Sequence, residues 1–152
     1  MQGVKIKGFF RVHIADPDGS IVGDSGWLKN QVTNLGFNKF LVSALGSIAG
    51  SLYVSHLALG TGTVPGAAAT SLDGEVTSRQ AVTAATSATS KTLRLTGTFS
   101  SADNFVGATV TLSNIGLFNS ASAGTLFAGN TYNTSTCATN QNVNCTYDIV
   151  FS

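Results

Sequence analysis

Charged side chains are scarce in this chain of 152 residues, where Asp, Glu, Lys and Arg together make up 10%, against about 25% in typical domains. Charge keeps monomers soluble and apart, so this shortage is typical of a protein whose surface is covered by copies of itself or by partners. A neutral surface rich in Ser, Thr and Asn is the alternative explanation. The length predicts one domain, spanning residues 1–152.

Basic clusters and long apolar runs are also missing, which narrows the range of partners. The eight Lys and Arg residues are scattered singly and cannot neutralise several adjacent phosphates, so we expect no nucleic acid partner. No apolar run approaches the roughly 20 residues that span a bilayer, so we expect no membrane partner. The start "MQGVKIKGFF" alternates as a strand does and lacks the apolar core of a secretion signal. If the protein leaves a cell, we expect it to do so without such a signal, for instance as part of an assembled particle.

Groups that perform acid–base chemistry are few, with two histidines and seven carboxylates spread along the chain. His13 falls on the polar face of a predicted strand and His56 inside an apolar one, positions typical of structural histidines. No carboxylates form the pair that glycoside hydrolysis needs, and an enzyme would require Asp16, Asp18 and Asp103 to meet in one cleft. We predict that the protein is not an enzyme and has no catalytic residue, cofactor, metal site or small-molecule substrate.

The stretch "DPDGSIVGD" is similar to a calcium-binding loop in one respect, because Asp16, Asp18 and Ser20 have the spacing of its first ligands. Its glycine is misplaced and the closing glutamate is absent. Proline presets φ, the aspartates can bond back to the backbone and Gly19 accepts a positive φ. "DPDG" therefore predicts a hairpin turn.

A glycine-rich loop follows a short apolar run in "HLALGTGTVPG", residues 56–66. A phosphate-binding P-loop needs a lysine and a hydroxyl residue that lead into a helix, and here no lysine comes before Lys91. The dinucleotide pattern also fails, since no strand–helix–strand unit follows. We predict a buried strand that turns sharply out of a sheet, with Pro65 ending further pairing.

Only two cysteines are present, in the stretch "CATNQNVNC". They have no nearby histidine for a zinc site and do not form a C-x-x-C redox pair. A disulfide between Cys137 and Cys145 would staple the final hairpin and contribute roughly 2–3 kcal/mol by the loop-closure model. Two reduced thiols are the alternative, and the redox compartment decides between them.

Alternating apolar and polar side chains predict β-strands over most of the chain. In "GVKIKGFFRVHIA" one face carries Val4, Ile6, Phe10, Val12 and Ile14. "KTLRLTGTF" and "VNCTYDIVFS" alternate in the same way, and Gly, Ser and Asn separate the strands. The predicted fold is mainly β, an antiparallel β-sandwich or jelly-roll-like domain.

One segment, about residues 35–49, has apolar side chains at helical spacing and predicts a short α-helix that packs on the sheet. Asn34 is its expected N-cap and Gly50 its stop. Its predicted packing stripe comprises Phe37, Leu41, Ala44, Leu45 and Ile48.

Two motifs occur in a fixed order, "ALGTGT…P…A…L…E…R" and then "IGLFN…GTL.A". Together with the N-terminal hairpin and the helix, this order resembles a class of small structural proteins encoded by tailed bacteriophages. The resemblance covers nearly the whole chain. This chain departs from the class in its few charges and in a Cys/Asn-rich insertion at 137–145.

The resemblance implies a non-enzymatic virion protein, a head-decoration (cement) protein or a tail-associated one. We expect first a capsid decoration protein that stabilises the assembled head as a symmetric homo-oligomer. It would bind the major capsid protein or other virion proteins, on a virion assembled in the host cytoplasm. Phe9, Phe10 and Trp27 are the candidate interface anchors. The alternative is a tail, collar or fibre component that contacts a host receptor or glycan; a carbohydrate-active enzyme is disfavoured by the few carboxylates.

Overall fold

The computed structural model describes residues 3–87 and 89–152. Its strands are β1 (Ile6–Ala15), β2 (Ile21–Asp24), β3 (Leu28–Lys29), β4 (Gln31–Val32), β5 (His56–Gly60), β6 (Gln80–Ala81), β7 (Thr83–Ser87), β8 (Thr92–Phe99), β9 (Val110–Phe118), β10 (Leu126–Cys137) and β11 (Asn142–Phe151). Sheet A has the order β2–β1–β11–β8–β7, with β3 also pairing with β1. Sheet B has the order β4–β10–β9–β5–β6. The two antiparallel sheets pack face to face, which confirms the predicted β-sandwich.

The long pairing of β1 with β11 gives the sandwich two distinct ends. Ile6 lies opposite Phe151 at one end, and Ala15 lies opposite Asn142 at the other. We call the first the groove end and the second the hairpin end, because the turn between β1 and β2 lies there. In sheet B, β10 reaches the hairpin end at Cys137, just before the loop that leads into β11.

The core lies between the sheets and follows the alternation that the sequence predicts. Phe10 is 0% exposed and stacks on Tyr147, with ring centroids 5.7 Å apart, while the ring of Tyr132 meets it edge-on at 6.1 Å. The prediction of Phe10 as an interface anchor is therefore wrong. The two-residue period of a strand points Phe10 inward with Val12, and it leaves Phe9 on the outer face.

One short helical segment, as predicted, closes the groove end, but its geometry differs from the expected α-helix. Gly36–Val42 forms a π-helix and Ser43–Leu45 continues it as a single α-helical turn, so the helix ends before residue 49. The wider turn is visible where Ser43 donates its backbone N–H to Asn38, five residues earlier. Thr33, rather than Asn34, caps the start, because its hydroxyl oxygen accepts the N–H of Gly36 at 2.9 Å.

The changed helical period also changes which side chains are buried. Phe40 is the buried large side chain of the segment, and its ring lies 5.1 Å from that of Phe127. Of the stripe predicted to pack, Phe37, Leu45 and Ile48 are exposed instead. A pattern read at 3.6 residues per turn selects the wrong face of a helix with a wider turn.

Candidate functional site

An apolar groove opens at the groove end, between the helix and the outermost residues of β1 and β11. It encloses about 570 Å³. Its lining residues are Val4, Ile6, Phe37, Phe40, Leu41, Val42, Ala44, Leu45 and Phe151. A concave surface lined in this way is the usual form of a binding site for an apolar group.

Three of the lining side chains stand largely in water. Leu45 is 91% exposed, Val4 81% and Val42 62%. Soluble monomers rarely expose large contiguous apolar patches, and such patches mark sites of interaction. Because the π-helix turns Phe40 inward, it leaves Val42 and Leu45 facing outward, and the groove is the strongest candidate binding surface of the molecule.

The lysines of the chain lie close to residues that line this groove, because Lys7 and Lys29 line a cavity together with Ile6 and Phe37, and Lys91 lines one together with Phe151. They are Lys5, Lys7, Lys29, Lys39 and Lys91, all exposed. Lys5 exchanges backbone hydrogen bonds of 2.6 and 2.8 Å with Ser152, and the carbonyl of Lys91 accepts the N–H of Phe151. Among the described residues no lysine forms an ion pair, so the groove end carries uncompensated positive charge.

The arginines, in contrast, are matched with carboxylates in three ion pairs. These are Arg11–Asp24, Arg79–Glu75 and Arg94–Asp148. Arg94 and Arg11 each bind their partner through two parallel hydrogen bonds, a geometry that suits the planar guanidinium. These pairs neutralise carboxylates along the faces of the sheets and leave the unmatched acidic groups elsewhere.

Two unmatched carboxylates lie in the turn between β1 and β2, at the hairpin end. Asp18 accepts the backbone N–H of Ser20 at 2.9 Å, and hydrogen bonding from Ser20 holds the pKa of Asp18 below its ordinary value. Asp16 accepts a hydrogen bond of 2.7 Å from the side-chain amide of Gln141. The predicted hairpin turn is confirmed, with both carboxylates at the turn and neither of them in an ion pair among the described residues.

A third carboxylate and two exposed apolar side chains belong to the same end. Asp103 lies in the 3-10 turn Ser101–Asp103, which follows β8 and is tied to Asn142 by a hydrogen bond of 2.8 Å. Ile21 and Val22 follow the turn and are 52% and 53% exposed. Among the described residues no group of three or more His, Cys, Asp or Glu side chains is arranged to hold a metal ion.

The outer face of sheet A carries the other two predicted anchors. Trp27 is 46% exposed, and the guanidinium of Arg94 lies 5.8 Å from the centre of its indole ring. Phe9 is half-buried and lies opposite Asp148 of β11, and Asp148 in turn lies opposite Arg94 of β8. Of the three predicted anchors, Trp27 is exposed and Phe9 partly exposed, whereas Phe10 is buried. A contact through Phe9 or Trp27 stays a prediction.

A shallow pocket of about 390 Å³ lies beside Arg94 and Trp27 on the outer face of sheet A. It is lined by Ala85, Thr86, Ser87, Ser90, Thr92, Arg94 and Asp148. The pocket offers hydrogen-bond donors and acceptors, namely the hydroxyl groups and the Arg94–Asp148 ion pair. The neighbouring ring of Trp27 adds a flat apolar surface. The sequence alone does not reveal this pocket, because its residues come from three strands and from the turn between β7 and β8.

The two histidines occupy different surroundings. His13 Nε2 lies 3.3 Å from the Asp24 carboxylate, which the Arg11 guanidinium already binds, and the pKa of Asp24 is held well below its usual range chiefly by Arg11. The Nδ1 atom of His56 lies 2.8 Å from the hydroxyl of Ser55. Burial, and secondarily the charge of Arg79, lowers the pKa of His56.

The glycine-rich loop after β5 encloses groups of the protein itself. The Asp73 carboxylate accepts hydrogen bonds from the backbone N–H and the hydroxyl of Thr63, at 2.9 and 3.0 Å. The Asn114 side chain donates to the carbonyls of Thr63 and Asp73 at 3.1 and 2.8 Å. A Cβ atom on Gly62 would collide with Asp73, so the glycine is required for this close approach. The loop binds its own carboxylate where a P-loop would bind phosphate.

Cys137 and Cys145 are both buried and are free thiols in this structure. They project into the core from strands of opposite sheets, and burial raises the pKa of both thiols. This arrangement corresponds to the reduced alternative. The disulfide stays a prediction for an oxidising environment.

Comparisons with known proteins do not place the chain in a family. No family model matches it, and neither a curated protein nor a solved structure matches it. Across residues 3–87 and 89–152, no helix is long and apolar enough to cross a membrane.

Proposed function

We propose that this protein is a non-enzymatic structural component of a tailed bacteriophage particle, in the first place a capsid decoration protein. The observation that carries the proposal is exposed apolar surface on a rigid two-sheet scaffold with few charges, including Trp27 and the groove at the helix. The order of the "ALGTGT" and "IGLFN" motifs, which resembles that of phage structural proteins, supports the same role.

The proposed mechanism is adhesive. Trp27 and Phe9 stand on one face of sheet A, where a large aromatic side chain can enter a pocket of a partner such as the major capsid protein. A protein that binds only the assembled shell stabilises that shell by mass action. The sandwich contributes a preformed surface, so little conformational entropy is lost on binding.

A position on the tail, collar or fibre, in contact with a host glycan, is the second candidate. The pocket beside Trp27 favours it, because sugars are bound by planar polar groups together with an aromatic surface. Trp27 is the only tryptophan of the chain, and its fluorescence therefore reports on this face directly. A saturable change on titration with host surface glycans, absent in Arg94→Ala, would support this second candidate.

The stoichiometry of purified virions tests the proposal. A stained gel should show the protein at hundreds of copies per particle if it decorates the capsid, and at a few to dozens if it belongs to the tail. Its absence from purified particles would contradict any role as a virion component. A Trp27→Ala variant should bind mature shells more weakly than Val64→Ala, which removes an exposed apolar side chain elsewhere.

A further inference from the structure

The two ends of the sandwich have complementary shapes and charges. The groove end is an apolar concavity with exposed lysines on residues near its lining, and none of them forms an ion pair among the described residues. The hairpin end is a projecting turn that carries the carboxylates of Asp16 and Asp18, and the exposed Ile21 and Val22 begin the strand that follows it. Asp103 lies at the same end. The concave shape and positive charge of the groove end thus complement the projecting shape and negative charge of the hairpin end.

The volume of the groove is also compatible with the size of an aliphatic side chain from the hairpin end. The groove holds about 570 Å³, several times the roughly 150 Å³ cavity that accepts a benzene molecule. It can therefore receive the exposed aliphatic side chain of Ile21, which lies at the start of β2 beside the hairpin turn; its neighbour Val22 points to the other face of the strand. Carboxylates of that turn would then lie beside the lysines at the rim, such as Lys5 and Lys39.

Contacts between like ends are electrostatically unfavourable. A groove-to-groove contact would bring two sets of five lysines together, and a hairpin-to-hairpin contact would bring together the carboxylates of Asp16, Asp18 and Asp103. Like charges opposed across an interface are unfavourable and exclude wrong pairings. The charge distribution thus selects the contact between unlike ends.

We infer that copies of this chain associate head to tail, with the hairpin end of one copy seated in the apolar groove of the next. Such a contact is heterologous, so it leaves one free groove and one free hairpin end, and it extends into a ring or an open row. The inference rests on the proposed function insofar as that role involves self-assembly. The copies meet through the groove and the hairpin end, so Trp27 and Phe9 on the outer face of sheet A stay free for another virion protein.

The molar mass of the purified full chain in solution, measured by light scattering, tests this contact. We expect masses above the 15.5 kDa of one chain at low salt, and a shift toward monomer at about 0.5 M salt, since the Debye length falls from roughly 10 Å at 0.1 M to about 3 Å at 1 M. A monomer at every salt concentration would overturn the inference. The same protein found at high copy number in virions would still support the proposed function, so the two failures are distinguishable.

Two single variants and their mixture determine the geometry of the contact. Leu45→Ser damages the groove and Ile21→Ser damages the hairpin end, and both replace exposed side chains. Each variant alone should be monomeric at low salt, whereas Val64→Ser, outside both ends, should associate as the wild type does. The mixture of the two variants should form dimers and nothing larger, because only the intact hairpin of one fits the intact groove of the other.

The other outcomes are also decisive. A mixture that stays monomeric, or single variants that still associate, would contradict the head-to-tail contact. Binding to an anionic lipid surface is the competing explanation for a basic apolar surface, and anionic phospholipid vesicles test it. If wild type binds such vesicles, Leu45→Ser does not, and no association occurs in solution, then a lipid rather than a second copy occupies the groove.

Discussion

The groove end and the hairpin end are formed by the same strands of sheet A, yet they differ in shape, polarity and charge. At the groove end a π-helix leaves Val42 and Leu45 exposed among unpaired lysines. At the hairpin end a tight turn places Ile21 beside free carboxylates. The formal net charge of +1 conceals this separation, because an average over the chain cannot show where each sign lies.

The difference also separates side chains that stabilise the fold from those that remain available for binding. Phe40 and Leu45 lie five residues apart on one helical segment, but Phe40 is buried against Phe127 and Leu45 is almost fully exposed. Burial stabilises the first side chain in the monomer, and no contact within the described residues explains why the second is apolar. Self-association supplies such a reason.

Alanine substitution at these two positions should give the largest contrast. Phe40→Ala removes a buried ring and should lower the free energy of unfolding by about 3–5 kcal/mol, whereas Leu45→Ala should change it by less than about 0.5 kcal/mol. Urea denaturation of each variant, in high salt where we expect the chain to be monomeric, provides the measurement. Equal losses would show that Leu45 packs into the fold.

Charge reversal at the two ends should change association in a reciprocal manner. The double variant Lys5→Glu/Lys39→Glu should no longer associate at low salt, because its groove then repels the carboxylates of the hairpin end. A partner carrying Asp18→Lys and Asp103→Lys should restore binding to it. Light scattering of each variant and of the mixture measures this, with Lys5→Gln/Lys39→Gln as the control for loss of charge alone. No restoration in the mixture would contradict the pairing of these charges.

Acid should weaken the fold through His56, which lies toward the groove end of sheet B opposite Phe118. Since burial lowers the pKa of His56 in the folded state, the unfolded chain takes up a proton first, and stability should fall as pH drops below the ordinary value of about 6.5. His56→Gln should flatten this slope between pH 7 and pH 5 in thermal unfolding experiments. If the dependence of stability on pH is unchanged in His56→Gln, a group other than His56 causes the loss of stability in acid.

Acid should act on the Arg11–Asp24 pair, toward the hairpin end, in a lower pH range. The pKa of Asp24 is held below its ordinary value of about 3.9, so its contribution is complete above that value and is lost as pH falls below it. Asp24→Asn should reduce the loss of stability below pH 4. A variant as acid-sensitive as the wild type would show that the pair does not contribute.

The smallest expected effect concerns the thiols of Cys137 and Cys145. As buried groups with raised pKa values, both should resist alkylation in the native protein and react on unfolding. Mass spectrometry after iodoacetamide treatment, with and without denaturant, measures this. A chain that is lighter by two hydrogens and unreactive even when unfolded would establish the disulfide, which would staple the hairpin end alone.

The alternation of apolar and polar side chains along each strand is local, and it is the reason why most of the fold can be predicted from the sequence. Strands β1, β8 and β11 follow a two-residue period, so their inward faces, including that of Tyr147, can be identified from the sequence. The hairpin turn follows from its Pro and Gly in the same way. These features depend on neighbours within a few residues.

The candidate surfaces depend on contacts that local patterns do not encode. Lys91 joins Lys5 at the groove end only because β11 pairs with both β1 and β8. The exposure of Leu45 follows from a π-helix, for which the sequence shows no distinct period. Asp73 enters the glycine loop across ten residues of irregular chain. The prediction of Phe10 as an anchor could have been avoided, because the predicted alternation already placed it with Val12.

Site-specific cross-linking tests the head-to-tail contact most directly. Ile21→Cys and Leu45→Cys variants introduce exposed thiols, while Cys137 and Cys145 are buried. Under mild oxidation at low salt, the mixture of the two variants should form a covalent dimer in high yield, and either variant alone should form little. A dimer of Leu45→Cys alone, with none in the mixture, would show that grooves face one another and would contradict the head-to-tail contact.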